Sequence, residues 1–439
     1  MMQGPPISHA AVLAASEATL PEDNFENVDE ENADFTYSAD TTEKKLCGNH
    51  GQGIDLAVAS QTTIDSLTFN GTCRLRGARL GRLLRCFGNV MSLSGSETFE
   101  LSQPAESLDV FISHNWSVSR FQKTLALCLH FNFKLAVLYM IAVVAVAVAL
   151  KWTEHEVRVE VCRPWMGFSQ EYALTCKLLY IGVFPVIFWG RDLLAVLGLD
   201  RTQVFFDKLC IDQRSEAAKA RGIKRLGAFI YRSQSMVAVC SNEYYTRLWT
   251  IYEIATFLAL HPRHKLVLLP SAMTNCTYVL TLGFYAFIVL ATFDSALNCQ
   301  LWFGVIQIRV APIFFILITL VMVSHLRDWL IEFWKLEVKL QDFSLEKAAC
   351  CDEADRTSVK ANVVALARDL GLLQAQVSDS SAVLAFEGLV RKEVPKATLH
   401  CTGRWGFPYR HLVFIGAPLL MVGVDHVNAA DDLEWCFLV

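Results

Sequence analysis

One apolar run constrains the fold of this chain more than any other feature. Phe133–Leu150 (FKLAVLYMIAVVAVAVAL) carries a single charge, Lys134, at its edge. A helix of this length, at about 1.5 Å per residue, nearly matches a ~30 Å hydrocarbon core. Strand-like runs lie on both sides of it, at Asp109–Ile112 and Gln203–Phe206. If both strands belong to one sheet, the chain between them crosses the membrane an even number of times.

Three further stretches predict membrane helices. Tyr172–Gly190 supplies the second crossing of a helical hairpin, and Cys276–Phe293 with Leu301–Ser324 predicts a second pair. Arg309 in the last stretch marks either an ion path or, as we expect, a side chain that snorkels or pairs with Asp294. Composition agrees with a membrane protein, because 53% of the residues are hydrophobic and only 19% are charged.

Short β-branched and aromatic runs predict a buried parallel sheet. Three of them are each followed by a helix-like stretch: Asp109–Ile112, Gln203–Phe206 and Met236–Val239. His264–Leu269 is a candidate fourth strand. Helices are predicted at Ser117–Phe131, Ser215–Tyr231 and Arg247–Leu260. Alternating strands and helices predict an open, doubly wound α/β sheet, whose ligand crevice lies beyond the carboxyl ends of its strands.

Polar residues follow the ends of the predicted strands and should share one edge of the sheet. They are Ser113, His114, Asn115 and Trp116, then Asp207, Lys208, Asp212 and Gln213, then Ser241 and Asn242. The carboxyl ends of parallel strands meet at one edge, so this group defines the expected ligand site.

Three motifs carry a resemblance to a known family. DVFISHNWS, at 109–117, resembles the first box of TIR (Toll/interleukin-1 receptor) domains. SMVAVCSNEYYTRLWTIYEIA, at 235–255, resembles the later TIR stretch of a strand, a Ser-x-x-Tyr turn and a Trp-x-x-x-Glu helix. FFDKLCIDQ, at 205–213, is similar to the Asp-x-x-Cys-Ile-Asp-Gln motif of fungal heterokaryon-incompatibility (HET) domains, which are relatives of TIR. The resemblance covers roughly a third of the chain and implies a flavodoxin-like, TIR-type parallel sheet.

The resemblance also implies a site. In TIR domains that cleave NAD⁺, the essential acid is the Glu of the Trp-x-x-x-Glu helix, a position that falls on Glu253 here. Its carboxylate would stabilise the positive charge that develops when the nicotinamide–ribose bond breaks. Candidate residues for binding ribose, nicotinamide or phosphate are Ser113, His114, Trp116, Asp207, Lys208 and Trp249. NAD⁺ would be a substrate, and no cofactor is required.

The sequence departs from the common TIR pattern at several points. Thr250 replaces the Cys that often follows the Trp, and no Pro-Gly loop is evident in the second box. The alternative to a catalytic role is ordinary packing of Trp249 and Tyr252 beside a solvated Glu253. Many TIR-like domains are adaptors that self-associate without catalysis.

The remaining segments have distinct compositions. An acidic, apolar-poor composition predicts a disordered tail over 1–70. In 71–104, arginines and leucines at helical spacing predict a basic amphipathic helix that lies on an anionic leaflet or packs against the sheet domain. The later segments are the first part of the TIR-like domain at 105–132, a transmembrane hairpin at 133–190, the second part at 200–270, a transmembrane pair at 276–324 and a cytosolic helical region at 325–439. Within that last region, the apolar segment 412–424 contains Pro418 and is too short to cross a bilayer.

Three classes of function fit these features. The favoured one is signalling by a cytosolic TIR-like domain that self-associates as a homo-oligomer or contacts other TIR-domain proteins. The alternatives are a membrane-tethered NAD⁺ hydrolase that uses Glu253 and a small transporter or channel, for which the predicted spans offer few polar residues.

All three functions make the chain a multi-pass integral membrane protein with the lipid bilayer as a partner. The net charge of −5 gives no nucleic-acid signature. The 14 cysteines have no metal-ligand spacing, so no metal site is predicted.

Overall fold

The computed structural model of the protein describes Phe69 and the ranges 74–93, 97–163, 168–241, 243–261, 265–297, 304–350, 352–369, 378–402 and 408–429. The predicted tail at 1–70 lies outside these residues except for Phe69, and so does Asn242.

The strands follow the predicted α/β pattern. In chain order they are β1 Arg76–Arg79, β2 Gln103–Pro104, β3 Leu108–His114, β4 Arg158–Arg163, β5 Phe168–Ala173, β6 Gln203–Phe205, β7 Ser233–Cys240 and β8 Leu266–Pro270. One sheet has the order β2-β1-β6-β3-β7-β8, and β4 pairs with β5 in a separate hairpin. β6, β3, β7 and β8 are parallel, whereas β1 and β2 are antiparallel. The α/β class is confirmed, but the sheet is mixed and not purely parallel as predicted.

Helices account for most of the described chain. In order they are α1 Leu80–Gly88, α2 Glu97–Glu100, α3 Arg120–Trp152, α4 Thr175–Tyr180, α5 Val183–Val196, α6 Asp207–Cys210, α7 Glu216–Lys224, α8 Leu226–Tyr231, α9 Leu248–Leu260, α10 Ser271–Leu297, α11 Gly304–Gln341, α12 Glu353–Asp369, α13 Asp379–Thr402 and α14 Tyr409–Ala429. The helix predicted at Ser215–Tyr231 is divided at Arg225 into α7 and α8.

Aromatic side chains anchor the core of the sheet. The ring of Phe111 on β3 stacks on that of Phe205 on the neighbouring β6, with 4.5 Å between ring centroids. Phe205 in turn lies 4.6 Å from the ring of Phe229 on α8. All three side chains are buried, which explains why these strands appear in the sequence as continuous apolar runs.

Residues 71–104 do not form one basic helix. Their first described part is β1, which extends the sheet beside β6, and Gly77 permits this approach because a Cβ there would lie 2.7 Å from Leu108 Cδ2. The helix that follows, α1, buries Leu80, Leu83 and Leu84 and packs against α3 and α5. Of the two predicted alternatives, the structure therefore has the apolar face packed against protein.

The first domain helix and the first predicted membrane span are one helix. α3 has 33 residues and is therefore about 50 Å long. Its N-terminus has a capping box in which Ser119 and Gln122 exchange hydrogen bonds. The predicted boundary between 132 and 133 thus falls inside a continuous helix that connects the sheet domain directly to the apolar bundle.

The predicted return crossing at Tyr172–Gly190 is not one helix. Tyr172 belongs to β5, and α4 and α5 are separated at Ile181 and Gly182. A Cβ at Gly182 would collide with the Tyr139 ring of α3, so this close approach requires glycine. With 6 and 14 residues, neither helix alone reaches across a ~30 Å core.

Three helices among the described residues are long and apolar enough to cross a membrane: α3, residues 271–290 of α10 and residues 409–428 of α14. To this extent the spans predicted at Phe133–Leu150 and Cys276–Phe293 are confirmed. From Gly304 onwards, the span predicted at Leu301–Ser324 lies in α11, which continues without a break through 38 residues. Residues 301–303 lie outside the described part of the chain.

α14 corrects the prediction that segment 412–424 is too short to cross. The helix continues through Pro418 and has 21 residues. It is longer than the apolar segment because polar residues at both ends of that segment are also helical. Its buried face recurs every three or four residues and packs against α3, α4 and α10. That face consists of His411, Phe414, Ala417, Met421, Asp425 and Asn428.

Candidate functional site

A cavity of about 380 Å³ opens at the carboxyl edge of the parallel strands. This volume lies in the usual range of small-molecule pockets, about 300–1,000 Å³. Five of the seven predicted site residues line it: His114, Trp116, Asp207, Trp249 and Glu253. The remaining two, Ser113 and Lys208, contact members of that group.

Glu253 lies one helical turn after Trp249 on α9, in the wall of the cavity. The Ser113 hydroxyl donates a hydrogen bond to Glu253 Oε2 at 2.5 Å. Burial raises the pKa of Glu253 from 4.5 to about 8; the Ser113 hydrogen bond opposes this rise, and the Asp207 carboxylate adds to it. The carboxyl is therefore mostly protonated at neutral pH, and a bound cation would favour its ionisation.

Tyr244 lies behind Ser113. Its hydroxyl is 2.6 Å from Ser113 Oγ, and its side chain is fully buried. Burial also raises the pKa of Tyr244 well above 10, so the phenol stays protonated at neutral pH. The Ser-x-x-Tyr turn was visible in the sequence, but its spacing alone did not indicate that this tyrosine would contact the site.

His114 ends β3 and faces the cavity. Its ring stacks on Phe206 with 4.6 Å between centroids, and Nε2 is 3.9 Å from Asp207 Oδ1. Burial lowers the pKa of His114 to about 4, and the opposing effect of Asp207 does not compensate, so the imidazole is neutral. Within the described part of the chain, Nε2 has no hydrogen-bond partner. A buried polar atom of this kind indicates a position where a ligand or water binds.

Trp116 and Lys208 lie at the rim. The Trp116 side chain is 53% exposed, which leaves an aromatic face available for stacking. Lys208 Nζ lies 5.0 Å from the centre of this ring and donates hydrogen bonds to the carbonyl oxygens of Met91 and Leu93. Lys208 therefore connects the rim to the segment at 91–93, and its ammonium group already donates two hydrogen bonds there.

A segment that sequence reasoning missed forms a second wall of the cavity. We call residues 343–350, between α11 and α12, the strap. Ala349 exchanges backbone hydrogen bonds with Thr246 and Leu248 at the start of α9, at 2.8 and 3.0 Å. Close by, the Trp249 indole Nε1 donates to Asp355 Oδ2 at 3.0 Å. Ala349, Cys350 and Asp355 line the cavity, although no local motif marks them as site residues.

The chain matches no protein-family model, no curated protein and no solved structure. Among the residues that the structure describes, no three His, Cys, Asp or Glu side chains are grouped so that they could hold a metal ion. The side chains that line the cavity offer carboxyl, hydroxyl, imidazole and indole groups.

Proposed function

We propose that this chain is a membrane-tethered NAD⁺ glycohydrolase with a TIR-like domain and that Glu253 is its catalytic carboxylate. The observation that carries the proposal is the position of Glu253, which faces a cavity of about 380 Å³ that Trp116 and Trp249 also line. The strand order β6-β3-β7-β8 supports the fold assignment, because it is the 2-1-3-4 order of flavodoxin-like sheets.

The reaction breaks the bond between the nicotinamide nitrogen and ribose C1′, and the electron pair stays on nitrogen. Positive charge then develops on the ribose, and ionised Glu253 stabilises it. Water adds to C1′ and transfers its proton to Glu253, which gives nicotinamide and ADP-ribose. Because nicotinamide carries a positive charge in NAD⁺, its binding favours ionisation of Glu253 before the bond breaks.

Signalling by self-association or by contact with other TIR-domain proteins stays a prediction. It is compatible with the same architecture, but the cavity adds an observation to the enzyme hypothesis that has no counterpart for the adaptor hypothesis. We therefore place hydrolysis first.

We also propose that the sheet domain is cytosolic and that the chain crosses the membrane five times. α3 leaves the domain, α4 with α5 returns, α10 and α11 form a second pair, and α14 leaves again. In this arrangement the region 325–439 is not wholly cytosolic as the sequence predicted, because α14 crosses the membrane. In sealed vesicles from a cysteine-depleted variant, an impermeant thiol reagent should reach Tyr409→Cys and Val427→Cys from opposite sides. Labelling of both from one side would contradict α14 as a span.

The proposed activity is tested by nicotinamide release from NAD⁺ by purified full-length protein in detergent. We expect release by the wild type and loss of release in Glu253→Ala. Glu243→Gln is a matched control, because Glu243 lies exposed on the turn before α9. Absence of release from folded wild-type protein, or equal release by Glu253→Ala, would overturn the assignment.

A further inference from the structure

Three side chains form a chain of hydrogen bonds that leads away from the cavity. Glu253 Oε2 is 2.5 Å from Ser113 Oγ, and Ser113 Oγ is 2.6 Å from Tyr244 Oη. Ser113 and Tyr244 are 1% and 0% exposed, so water does not compete for these bonds. Glu253 is the only one of the three that faces the cavity.

The direction of the two bonds follows from the number of hydrogens. Ser113 has one hydroxyl hydrogen, and an ionised Glu253 can only accept, so Ser113 donates to Glu253. The protonated phenol of Tyr244 then donates to Ser113 Oγ. Donation by Tyr244 polarises the Ser113 hydroxyl and strengthens its bond to the carboxylate.

The same chain of bonds favours one protonation state of the carboxyl. A protonated Glu253 can still accept the Ser113 hydrogen through its carbonyl oxygen, but a hydrogen bond to an ionised oxygen is roughly twice as strong as one between neutral groups. The arrangement therefore stabilises the ionised carboxylate more than the protonated carboxyl.

We propose that Tyr244 is a positioning residue that, through Ser113, favours the ionised form of Glu253 and fixes the direction of its carboxyl group. The proposal rests on the proposed function for its catalytic meaning, but the hydrogen-bond chain itself can be tested without substrate. It adds a residue outside the cavity to the control of the reactive carboxylate.

Other ionisable groups line the same cavity as Glu253. They are His114 on β3, Asp207 on α6, Lys219 on α7, Arg247 just before α9 and Asp355 on α12. Neutral His114 contributes no charge, whereas the Asp207 carboxylate raises the pKa of Glu253. Tyr244→Phe alters none of these groups, so its effect isolates the hydrogen-bond chain.

The neighbouring tyrosine provides a matched control. Tyr245 is also buried, but its hydroxyl lies 3.9 Å from Cys240 Sγ and 3.4 Å from Thr398 Oγ1, away from Ser113. Tyr245→Phe therefore removes a buried phenol oxygen of the same kind without touching the hydrogen-bond chain. Any effect of general destabilisation should appear in both variants.

The first measurement is the titration of the Glu253 carboxyl by infrared difference spectroscopy, with Glu253→Gln as the subtraction reference. In Tyr244→Phe we expect the midpoint to move upwards by about half a pH unit to one unit, the equivalent of one net hydrogen bond. In Tyr245→Phe it should stay at the wild-type value. An unchanged or lowered midpoint in folded Tyr244→Phe would overturn the proposal.

The second measurement is the pH profile of kcat/KM for NAD⁺. The acidic limb should move upwards by the same amount in Tyr244→Phe, while a purely structural defect would lower activity equally at all pH values. If the wild type shows no turnover, the proposed function fails and the infrared titration still decides the role of Tyr244. If the wild type turns over and neither measurement shifts, only the role of Tyr244 fails.

Discussion

The two walls of the cavity differ in how they arise from the chain. The first wall holds His114, Asp207 and Glu253, which end, follow or pack beside adjacent parallel strands. The second holds the strap and Asp355, about a hundred residues later and beyond the long helices α10 and α11. The comparison suggests a division of labour in which the first wall supplies the reactive groups and the second encloses them.

The strongest test of this division exchanges one carboxyl for an amide on each wall. We expect Glu253→Gln to lower kcat for NAD⁺ cleavage by at least about 100-fold, because an amide cannot balance the positive charge of the transition state. Asp355→Asn should change kcat/KM by less than about tenfold, because it weakens only the bond to the Trp249 indole. Steady-state kinetics of both variants decides the matter, and equal losses would show that the two walls do not differ in role.

The parallel-strand wall was accessible to sequence reasoning because two local patterns determine it. Apolar runs identify the strands, and the carboxyl ends of parallel strands must meet at one edge. Polar residues from 113 to 242 could therefore be grouped without knowing any contact, whereas Glu253 was assigned from the resemblance of its helix to the TIR motif. Tyr244 was missed because its role depends on the 2.6 Å distance between its hydroxyl and Ser113, which no spacing rule supplies.

The strap was not predictable for a different reason. Its contacts to α9 are made by the backbone of Ala349, so no side-chain pattern records them. α14 illustrates the same limit in the bundle, where Asp425 is buried and accepts hydrogen bonds from the backbone N–H groups of Cys176 and Lys177. A prediction that counts apolar residues ends the segment before Asp425. In the structure, these hydrogen bonds satisfy the carboxylate, so the helix continues past it.

The stability of the first wall should depend on pH. Since folding raises the pKa of Glu253 from 4.5 to about 8, the unfolded chain loses this proton first as pH rises. The protonated carboxyl therefore stabilises the fold fully below about pH 4.5, and this stabilisation is lost as pH rises towards 8. Because the carboxyl faces the cavity, we expect it to contribute only about 2 kcal/mol to the free energy of unfolding, less than the whole pKa shift would give.

Thermal unfolding in detergent between pH 5 and pH 8 measures this effect. Relative to wild type, Glu253→Gln should gain stability as pH rises, because its amide has no proton to lose. Asp355→Asn is the control from the second wall and should keep the decline due to Glu253. A constant difference between wild type and Glu253→Gln across this range would contradict a raised pKa.

The second wall should open more often when its side-chain hydrogen bond to α9 is removed. Trp249→Phe retains an aromatic ring but lacks the N–H that donates to Asp355, so opening of the strap should become roughly tenfold more frequent. Hydrogen exchange of the Ala349 amide, which is bonded to Thr246, reports this opening. Exchange in β7 should not change, and faster exchange there would indicate general destabilisation instead.

The smallest effect is expected at Lys208, which the sequence assigned to ligand binding and which lies at the rim. Its ammonium group already donates to the carbonyls of Met91 and Leu93, so little of its donor capacity is left for phosphate. We expect Lys208→Met to change KM for NAD⁺ less than about threefold and to lower stability by about 1 kcal/mol. Kinetics and thermal unfolding of the same preparation separate the two effects. A tenfold or greater rise in KM at unchanged stability would show that Lys208 binds NAD⁺ and that the first wall includes the rim.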